Sequence, residues 1–525
     1  MFDSALTIPA ALEQSAHRWA EREALVGAQR RLTWADLAGH VDVVARAVVA
    51  TGVEAGDRVA IWAPNSTAWV VASLGIQRAG AVVATVNTRF KGDEAAHVLR
   101  TSDSRLLLTV ADFLGVDHVA MLRAAAGGVP DCVEEIVVLD GPTPAGTVSW
   151  GGFLGRADRV EADVTAARAS AIGPDDPCDI IFTSGTTGAP KGALMAHGAS
   201  IRAFWAWTEV IGLRPDDRHL IVNPMFHAFG LKAGILACVL RGATIVPHAV
   251  FDVAAVADRI ETERITMLPG PPAIYQTMLD DPQIAARDLS SLRLAVTGAA
   301  PVPVELIERM RDELGFEVVV TGYGLTEAHG IVSMNRHDDP PELISSSDGR
   351  AIDGVEVVTV DERGNPTPPG EPGEIRVRGY NLMLGYIGDP DATRSAIDSD
   401  GWLHTGDVGV LDDAGNLRIT DRLKDMYISG GFNVYPAEVE AVLHGHPAVS
   451  QVAVVGAPDH RMGEVGAAFV VPRPGTHLDA DELLAWGRDR MANYKVPRVV
   501  HVVDELPMNA SNKVRKFELR ERVGR

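Results

Sequence analysis

The sequence predicts an α/β protein: a large N-terminal α/β domain with an antiparallel region of short strands toward its end, followed by a small C-terminal domain. Three observations predict it. Strand-like and helix-like apolar patterns alternate along the first two thirds of the chain, the texture changes to short turn-separated strands near Gly354, and a βα pattern returns after a polar segment at 420–424. A chain of 525 residues also exceeds one ordinary core, so two or more domains are expected.

The elements follow in order. Arg58-Val59-Ala60-Ile61-Trp62 and His219-Leu220-Ile221-Val222 are apolar, β-branched runs suited to buried strands, whereas at 254–263 apolar residues recur at three and four, the spacing of a helix face. Further strands are expected at 178–182, 243–246, 267–268, 292–296 and 318–321. Most of them enter loops rich in Gly or Pro, and ligands of α/β sheets bind at such strand ends. Beyond Gly354, Gly364-Asn365, Pro368-Pro369-Gly370 and Ala414-Gly415-Asn416 are turn signals between short strands, as in an antiparallel region. The expected division is an N-terminal domain over 1–420, a polar connection at 421–424 and a C-terminal domain over 425–525.

Composition excludes several classes. The 70 acidic and 48 basic residues leave a net charge of −22, which disfavours nucleic acid and anionic lipid as partners and requires local positive groups wherever an anionic substrate binds. The three cysteines, Cys132, Cys178 and Cys238, match neither a disulfide framework nor a zinc site. No apolar stretch reaches the length of a spanning helix: the most apolar one, 70–86, is broken by Gln77 and Arg78. The first residues do not read as a secretory signal, so a cytoplasmic location is expected. Oligomeric state is left open between a monomer and a homo-oligomer.

The chemistry is concentrated in loops. The strand Asp179-Ile180-Ile181-Phe182 runs into Thr183-Ser184-Gly185-Thr186-Thr187-Gly188-Ala189-Pro190-Lys191-Gly192. Glycines there let backbone N–H groups approach an anion, the hydroxyls donate to phosphate oxygens, and Lys191 adds charge. It is not a Walker loop: counted from Gly185, the next required glycine falls on Pro190, and Lys191 is followed by Gly192. A Gly/Thr-rich surface loop is the bland alternative for such a string.

The whole string resembles the phosphate-binding signature of the adenylate-forming superfamily, which contains acyl- and aryl-CoA synthetases, nonribosomal adenylation domains and firefly-type luciferases. Further motifs resemble that superfamily's in order. Asn223-Pro224-Met225-Phe226-His227 resembles the loop whose histidine guards the acyl pocket. Thr297-Gly298-Ala299-Ala300-Pro301 resembles the strand end lining adenine and acyl group. Gly322-Tyr323-Gly324-Leu325-Thr326-Glu327 resembles the motif with an aromatic on adenine, a threonine on phosphate and a glutamate on magnesium. Trp402-Leu403-His404-Thr405-Gly406-Asp407 resembles the segment whose carboxylate holds both ribose hydroxyls. Asp421-Arg422-Leu423-Lys424-Asp425 resembles the ribose-binding arginine and hinge, and Ser429-Gly430-Gly431-Phe432 the glycine loop beside pantetheine. Leu506-Pro507-Met508-Asn509-Ala510-Ser511-Asn512-Lys513 resembles the segment ending on the catalytic lysine.

Taken singly, His227 reads equally as a packed loop histidine, Glu327 as a solvated carboxylate, Asp407 as a turn residue, Tyr323 as a core aromatic and Lys513 as a solvent-facing lysine. Their occurrence together in the superfamily's order overrides these readings. The resemblance implies that ATP, Mg2+ and coenzyme A are used. Lys513, Glu327 and His227 are the implied catalytic residues, with Glu327 on the metal. The implied ATP site comprises Thr183, Ser184, Gly185, Thr186, Thr187, Gly188, Lys191, Gly298, Ala299, Ala300, Gly322, Tyr323, Gly324, Leu325, Thr326, Asp407, Ile419, Arg422 and Lys513. The resemblance also implies a large N-terminal domain of stacked α/β sheets with a small β-barrel-like region, a hinge at 421–424 with Lys424 as its pivot, a small mobile α+β C-terminal domain, and Gly430 and Gly431 beside coenzyme A. An acyl pocket is implied at His227, Phe229, Gly230, Lys232, Pro269, Tyr275, His329 and Gly330.

Two positions depart from the superfamily's pattern. Asn512 replaces the usual glycine before the lysine and tolerates a left-handed backbone, so the turn is expected to survive. Met508 stands where a basic residue is common, which removes one charge near the phosphates. The implied activity is joining a hydrophobic carboxylic acid to coenzyme A through an acyl-adenylate, with release of AMP and pyrophosphate. The runs 231–238 and 419–427 resemble actinobacterial acyl-CoA ligases. That implies either a steroid-derived methylhexahydroindanedione propanoate or a medium- or long-chain fatty acid. The rival readings are a fatty acyl-AMP ligase loading a carrier protein, a luciferase-like oxygenase, and a non-catalytic acyl- or nucleotide-binding protein.

Overall fold

The computed structural model describes residues 6–28, 30–183, 190–298, 302–422, 425–429, 432–491, 493–508 and 513–523, with the side chains of 421, 422, 432 and 433 left out. The chain forms two compact units. The first comprises Met1–Glu356 and Arg378–Leu403, the second Val357–Val377 and His404–Arg525. It mixes helices and sheets, with a large N-terminal and a small C-terminal portion, as the sequence predicts.

The first unit is organised by an eight-stranded sheet. Its order is Gly385–Tyr386, Lys191–Ala196, Pro177–Thr183, Val82–Thr85, Arg58–Trp62, Ser104–Thr109, Glu135–Val138 and Val148–Ser149. From Pro177–Thr183 to Val148–Ser149 neighbours are parallel, and the two strands beyond it are antiparallel. Ala60, Trp62, Ala84 and Leu107 of the central strands are fully buried with Phe90 and Leu99. A run apolar on consecutive residues, such as 58–62, belongs in a sheet covered on both faces.

Helix Trp34–Ala50 begins with a capping box in which Thr33 and Asp36 satisfy each other's backbone donors. It buries Leu37, Val41, Val44 and Val48, one helical stripe.

Two smaller sheets complete the unit. One has the order Arg218–Ile221, Thr244–Pro247, Glu23–Val26, Arg31–Thr33, the other Leu294–Thr297, Val318–Tyr323, Ser333–Met334, Arg350–Ala351. The strand expected at 267–268 shrinks to single bridges from Met267 to His219 and to Leu294. Pro269 follows immediately and brings no N–H to continue a ladder. The carboxyl ends of these strands deliver Thr183, Asn223, Gly298 and Tyr323 to the loops that carry the sequence motifs.

Val355–Val360, Pro372–Gly379, Leu403–Leu411 and Leu417–Arg422 form a four-stranded sheet in the region of the turn signals, its last two strands antiparallel. A five-stranded sheet follows, with Val499–Val502 parallel to Gly463–Pro472. Helices Pro436–His444 and Ala480–Arg488 bury Val439, Leu443 and Leu483 on one of its faces, and Leu519 from Lys516–Val523 packs with Val455 and Phe469. No helix among the described residues is long and apolar enough to cross a membrane.

Two buried histidines make the fold sensitive to acid. Burial pushes His219 down to about 3, and burial followed by the nearby Lys232 charge pushes His197 down to about 4. His197 stays neutral and accepts from the Ile8 backbone N–H at 3.2 Å. A lowered folded-state pKa means that the unfolded chain binds the proton first, so stability is complete above pH 6.5 and declines as pH falls toward 4. Each histidine is expected to cost roughly 1.4 kcal/mol per pH unit in that window. Denaturant midpoints measured at pH 7.5, 6 and 5 are expected to fall steadily; a flat profile contradicts the buried neutral state.

Candidate active site

The phosphate loop connects two paired strands. Pro177–Thr183 and Lys191–Ala196 run antiparallel, and Thr183 faces Lys191 at the end of the ladder. Ser184, Gly185, Thr186, Thr187 and Gly188 lie outside the described residues. The ladder therefore defines where the loop begins and ends. Lys191 emerges beside Tyr386, with its ammonium 5.2 Å from the ring centroid, a cation–π contact.

Glu327 stands on the other side of the same tyrosine. The Tyr386 hydroxyl donates to Glu327 Oε1 at 2.6 Å. Burial and then the Glu327 charge push the Tyr386 phenol up, so it remains a donor. The Met383 N–H donates to the Glu327 carbonyl oxygen at 2.8 Å, while Leu384 and Ile387 N–H groups donate to Leu194 and Gly192, each at 2.8 Å. Segment 383–387 thus joins the phosphate hairpin to the glutamate loop. Sequence reasoning missed Tyr386. Its one signal is an aromatic between Gly385 and Gly388, a short stretch with no periodicity to mark it as a strand.

The loop carrying Glu327 folds back tightly. Gly322 and Tyr323 pair with Met334 and Ser333. A short 3-10 turn, Thr326–Ala328, then reverses the chain, with Gly330 N–H donating to Leu325 O at 2.9 Å. A Cβ on Gly324 would lie 2.0 Å from the Gly330 oxygen, so no other residue fits there without moving the loop. Gly298 sits within reach, its own Cβ position 3.2 Å from Gly322 O. Thr326 and Glu327 are half-buried and Tyr323 is buried. Ala299 and Ala300 lie outside the described residues.

The loop at 223–230 is pinned by two asparagines. Asn65 Nδ2 donates to the carbonyls of Ile221 at 3.0 Å and Asn223 at 2.8 Å, and Asn65 Oδ1 accepts from Met225 N–H at 2.8 Å. Asn223 Nδ2 reaches Pro269 O at 2.9 Å. His227 is exposed on this pinned loop, and Phe229 and Gly330 are half-buried. Asn65 is a positioning residue that sequence reasoning also missed, because a lone asparagine before a helix reads as a capping or turn residue.

The remaining residues expected at the acyl pocket are closed by protein. Lys232 lies in the π-helix Phe229–Leu236, is 1% exposed, and is ion-paired with Asp179 while donating to Ser200 Oγ at 2.8 Å. Burial alone would lower its pKa, but the charges of Asp179 and Cys178 together with the hydrogen bonds to both turn the net shift upward. Lys232, expected at the acyl pocket, is thus engaged in a buried ion pair. Tyr275 is fully buried, with its hydroxyl on Leu268 O at 2.7 Å and its ring edge-on to Phe316 at 5.8 Å. His329 is closed off with Nδ1 2.8 Å from Asn381 O, and Gly230 and Pro269 are buried.

In the second unit, Leu403–Leu411 and Leu417–Arg422 align Asp407 opposite Arg422 and Gly409 opposite Ile419. Lys513 is exposed and directly precedes Val514, whose backbone bridges to Met508. Lys424, Gly430 and Gly431 lie outside the described residues. Among the described residues, no group of three or more His, Cys, Asp or Glu side chains is arranged to hold a metal on its own. Cys178 is a poor nucleophile, since burial pushes its thiol up to about 12.

Thr183 and the glutamate loop lie at the carboxyl ends of α/β strands, where ligands of such sheets bind. The model of the AMP-binding enzyme family matches residues 12–387, and that of the AMP-binding enzyme C-terminal domain matches residues 438–513. The methyl-dioxo-octahydroindenyl propanoyl:CoA ligase of Rhodococcus jostii is 49% identical over 528 residues, covering 99% of both chains. The ligase of the same description from Mycobacterium tuberculosis is 49% identical over 521 residues, covering 99% of this chain and 100% of that one. Among solved structures, an anthranilate CoA ligase bound to anthranoyl-AMP superposes with a TM-score of 0.88 at 29% identity, covering 99% of this chain and 98% of that one. The chain belongs to the AMP-binding enzyme family. Within it, the protein is an ATP-dependent acyl-CoA ligase, using an acid, ATP and coenzyme A.

The buried ion pair generates a prediction. Lys232→Met leaves Asp179 charged and unpaired, and is expected to destabilise the first unit by about 3–5 kcal/mol. Adding Asp179→Leu removes the orphaned charge and is expected to restore most of the loss. Equal denaturation midpoints for Lys232→Met and wild type would contradict the pairing.

Proposed function

We propose that the acid activated is a bulky bicyclic propanoate of the methyl-dioxo-octahydroindene type. The observation that carries this reading is 49% identity along the full chain to the two ligases described by that acid. The runs 231–238 and 419–427, which resemble the same group, support it, as does the apolar character of the sequence expected around the acyl group.

In the first half-reaction a carboxylate oxygen of the acid attacks the α-phosphorus of ATP. The bond to the β-phosphate breaks, giving acyl-adenylate and pyrophosphate. This step needs alignment and charge neutralisation rather than a covalent protein nucleophile. We assign the β- and γ-phosphates to Lys191 and the hydroxyls of 183–187, adenine to Tyr323 with 298–300, phosphate contact to Thr326, ribose to Asp407 and Arg422, and carboxylate and α-phosphate to Lys513. His227 guards the acyl group. A single half-buried carboxylate, Glu327, with no cage of other ligands among the described residues, suits magnesium, which binds through one or two carboxylates plus substrate phosphates. When bound, the ion offsets charge on the phosphates.

In the second half-reaction the thiol of coenzyme A loses its proton as sulfur bonds to the acyl carbonyl carbon, and AMP leaves. We assign Lys424 as the hinge between the two half-reactions and Gly430 and Gly431 to the pantetheine path, where a side chain would obstruct.

AMP release measured against indane-type propanoates and fatty acids of graded length is expected to favour the bicyclic acids by at least about tenfold in kcat/KM, with the activity lost in Lys513→Ala. Preference for straight chains would overturn the substrate reading. AMP release indifferent to coenzyme A would favour an acyl-AMP ligase. Separately, Lys424→Pro is expected to spare adenylate formation and suppress thioester formation; a parallel fall in both half-reactions contradicts the hinge.

A further inference from the structure

Three groups converge on Tyr386. Its hydroxyl donates to Glu327 Oε1 at 2.6 Å, its ring carries the Lys191 ammonium at 5.2 Å, and its backbone belongs to a strand zipped onto Lys191–Ala196 through the pairs Gly385 with Leu194 and Tyr386 with Ala193. The tyrosine is itself held. Its N–H donates to Thr393 Oγ1 at 2.9 Å, and Gly385 adopts φ +144 with its Cβ position 2.8 Å from Thr393 Cγ2. Gly385 therefore lets Thr393 sit close enough to fix the strand. Neighbouring Met383 bonds to the backbone of Glu327 as well, so both the backbone and the carboxylate of Glu327 are oriented by one five-residue segment.

We infer that Tyr386 is a positioning residue that sets the phosphate-loop lysine and the metal-holding carboxylate at a fixed spacing, so that they engage one triphosphate together. The inference rests on Glu327 holding magnesium. The two ends of the side chain divide the task. The hydroxyl occupies one carboxylate oxygen and leaves the other to face the ion, the common arrangement by which an outer partner orients a metal ligand. The ring gives the lysine an apolar, electron-rich seat, from which its charge points to the phosphates without pairing with Glu327.

The test is Mn2+ binding followed by electron paramagnetic resonance in the presence of a non-hydrolysable ATP analogue, for wild type, Tyr386→Phe, Tyr386→Leu and Glu327→Gln. Tyr386→Phe keeps the ring and is expected to weaken Mn2+ about tenfold, with little change in affinity for the analogue measured without metal. Tyr386→Leu is expected to lose analogue affinity as well. A merely structural tyrosine would lower the melting midpoint and kcat of Tyr386→Phe without moving the Mn2+ titration, and that result overturns the inference. If Glu327→Gln binds Mn2+ as wild type does, the metal reading itself fails and the inference falls with it. If Glu327→Gln weakens Mn2+ and Tyr386→Phe does not, only the role of Tyr386 fails.

Discussion

The antiparallel ladder between Pro177–Thr183 and Lys191–Ala196 is the constraint on which the first unit's chemistry depends. Its open end, where Thr183 faces Lys191, sets the span of the phosphate loop. Its outer edge receives Gly385–Tyr386, and with it the hydrogen bond to Glu327. Its base holds Asp179, fully buried and paired with Lys232 of the π-helix that follows the His227 loop. A one-residue slip in an antiparallel ladder would turn every side chain to the opposite face. Asp179 would then leave Lys232 charged in an apolar interior, so the ion pair opposes such a slip. Buried pairs are poor sources of net stability but good markers of register.

The same ladder answers a problem posed by composition. A chain with net charge −22 must still hold a triphosphate. The proposed phosphate assignment meets this with a lysine and hydroxyls gathered in one short stretch of sequence rather than with an overall positive field. Lys191 sits over an aromatic ring, which under that assignment leaves its charge for the ligand. Gly324 and Gly330, packed backbone to backbone, hold the glutamate loop compact beside it.

Much of this was legible in the sequence. Continuous apolar runs marked the buried strands, turn residues marked the antiparallel region after Gly354, and the motifs named Thr183, Lys191, Gly298 and Glu327, whose backbones the structure places at strand ends or in the loops leaving them. Periodicity could not reveal contacts between distant short segments. Tyr386 lies in a strand of two residues, and Asn65 acts on a loop 158 residues away. Lys232, expected at the acyl pocket, is buried against Asp179, a pairing that periodicity does not show. The signal for its partner was a second lone charge, Asp179, inside another apolar run. The strand expected at 267–268 failed for a local reason, the proline that follows it.

The central claim is that the protein couples ATP cleavage to an acid through an adenylate before coenzyme A is needed. Exchange of labelled pyrophosphate into ATP, measured with the bicyclic propanoate and magnesium but without coenzyme A, tests it most directly. The account predicts exchange that depends on the acid and disappears in Lys513→Ala. Exchange that ignores the acid, or that begins only when coenzyme A is added, would contradict it.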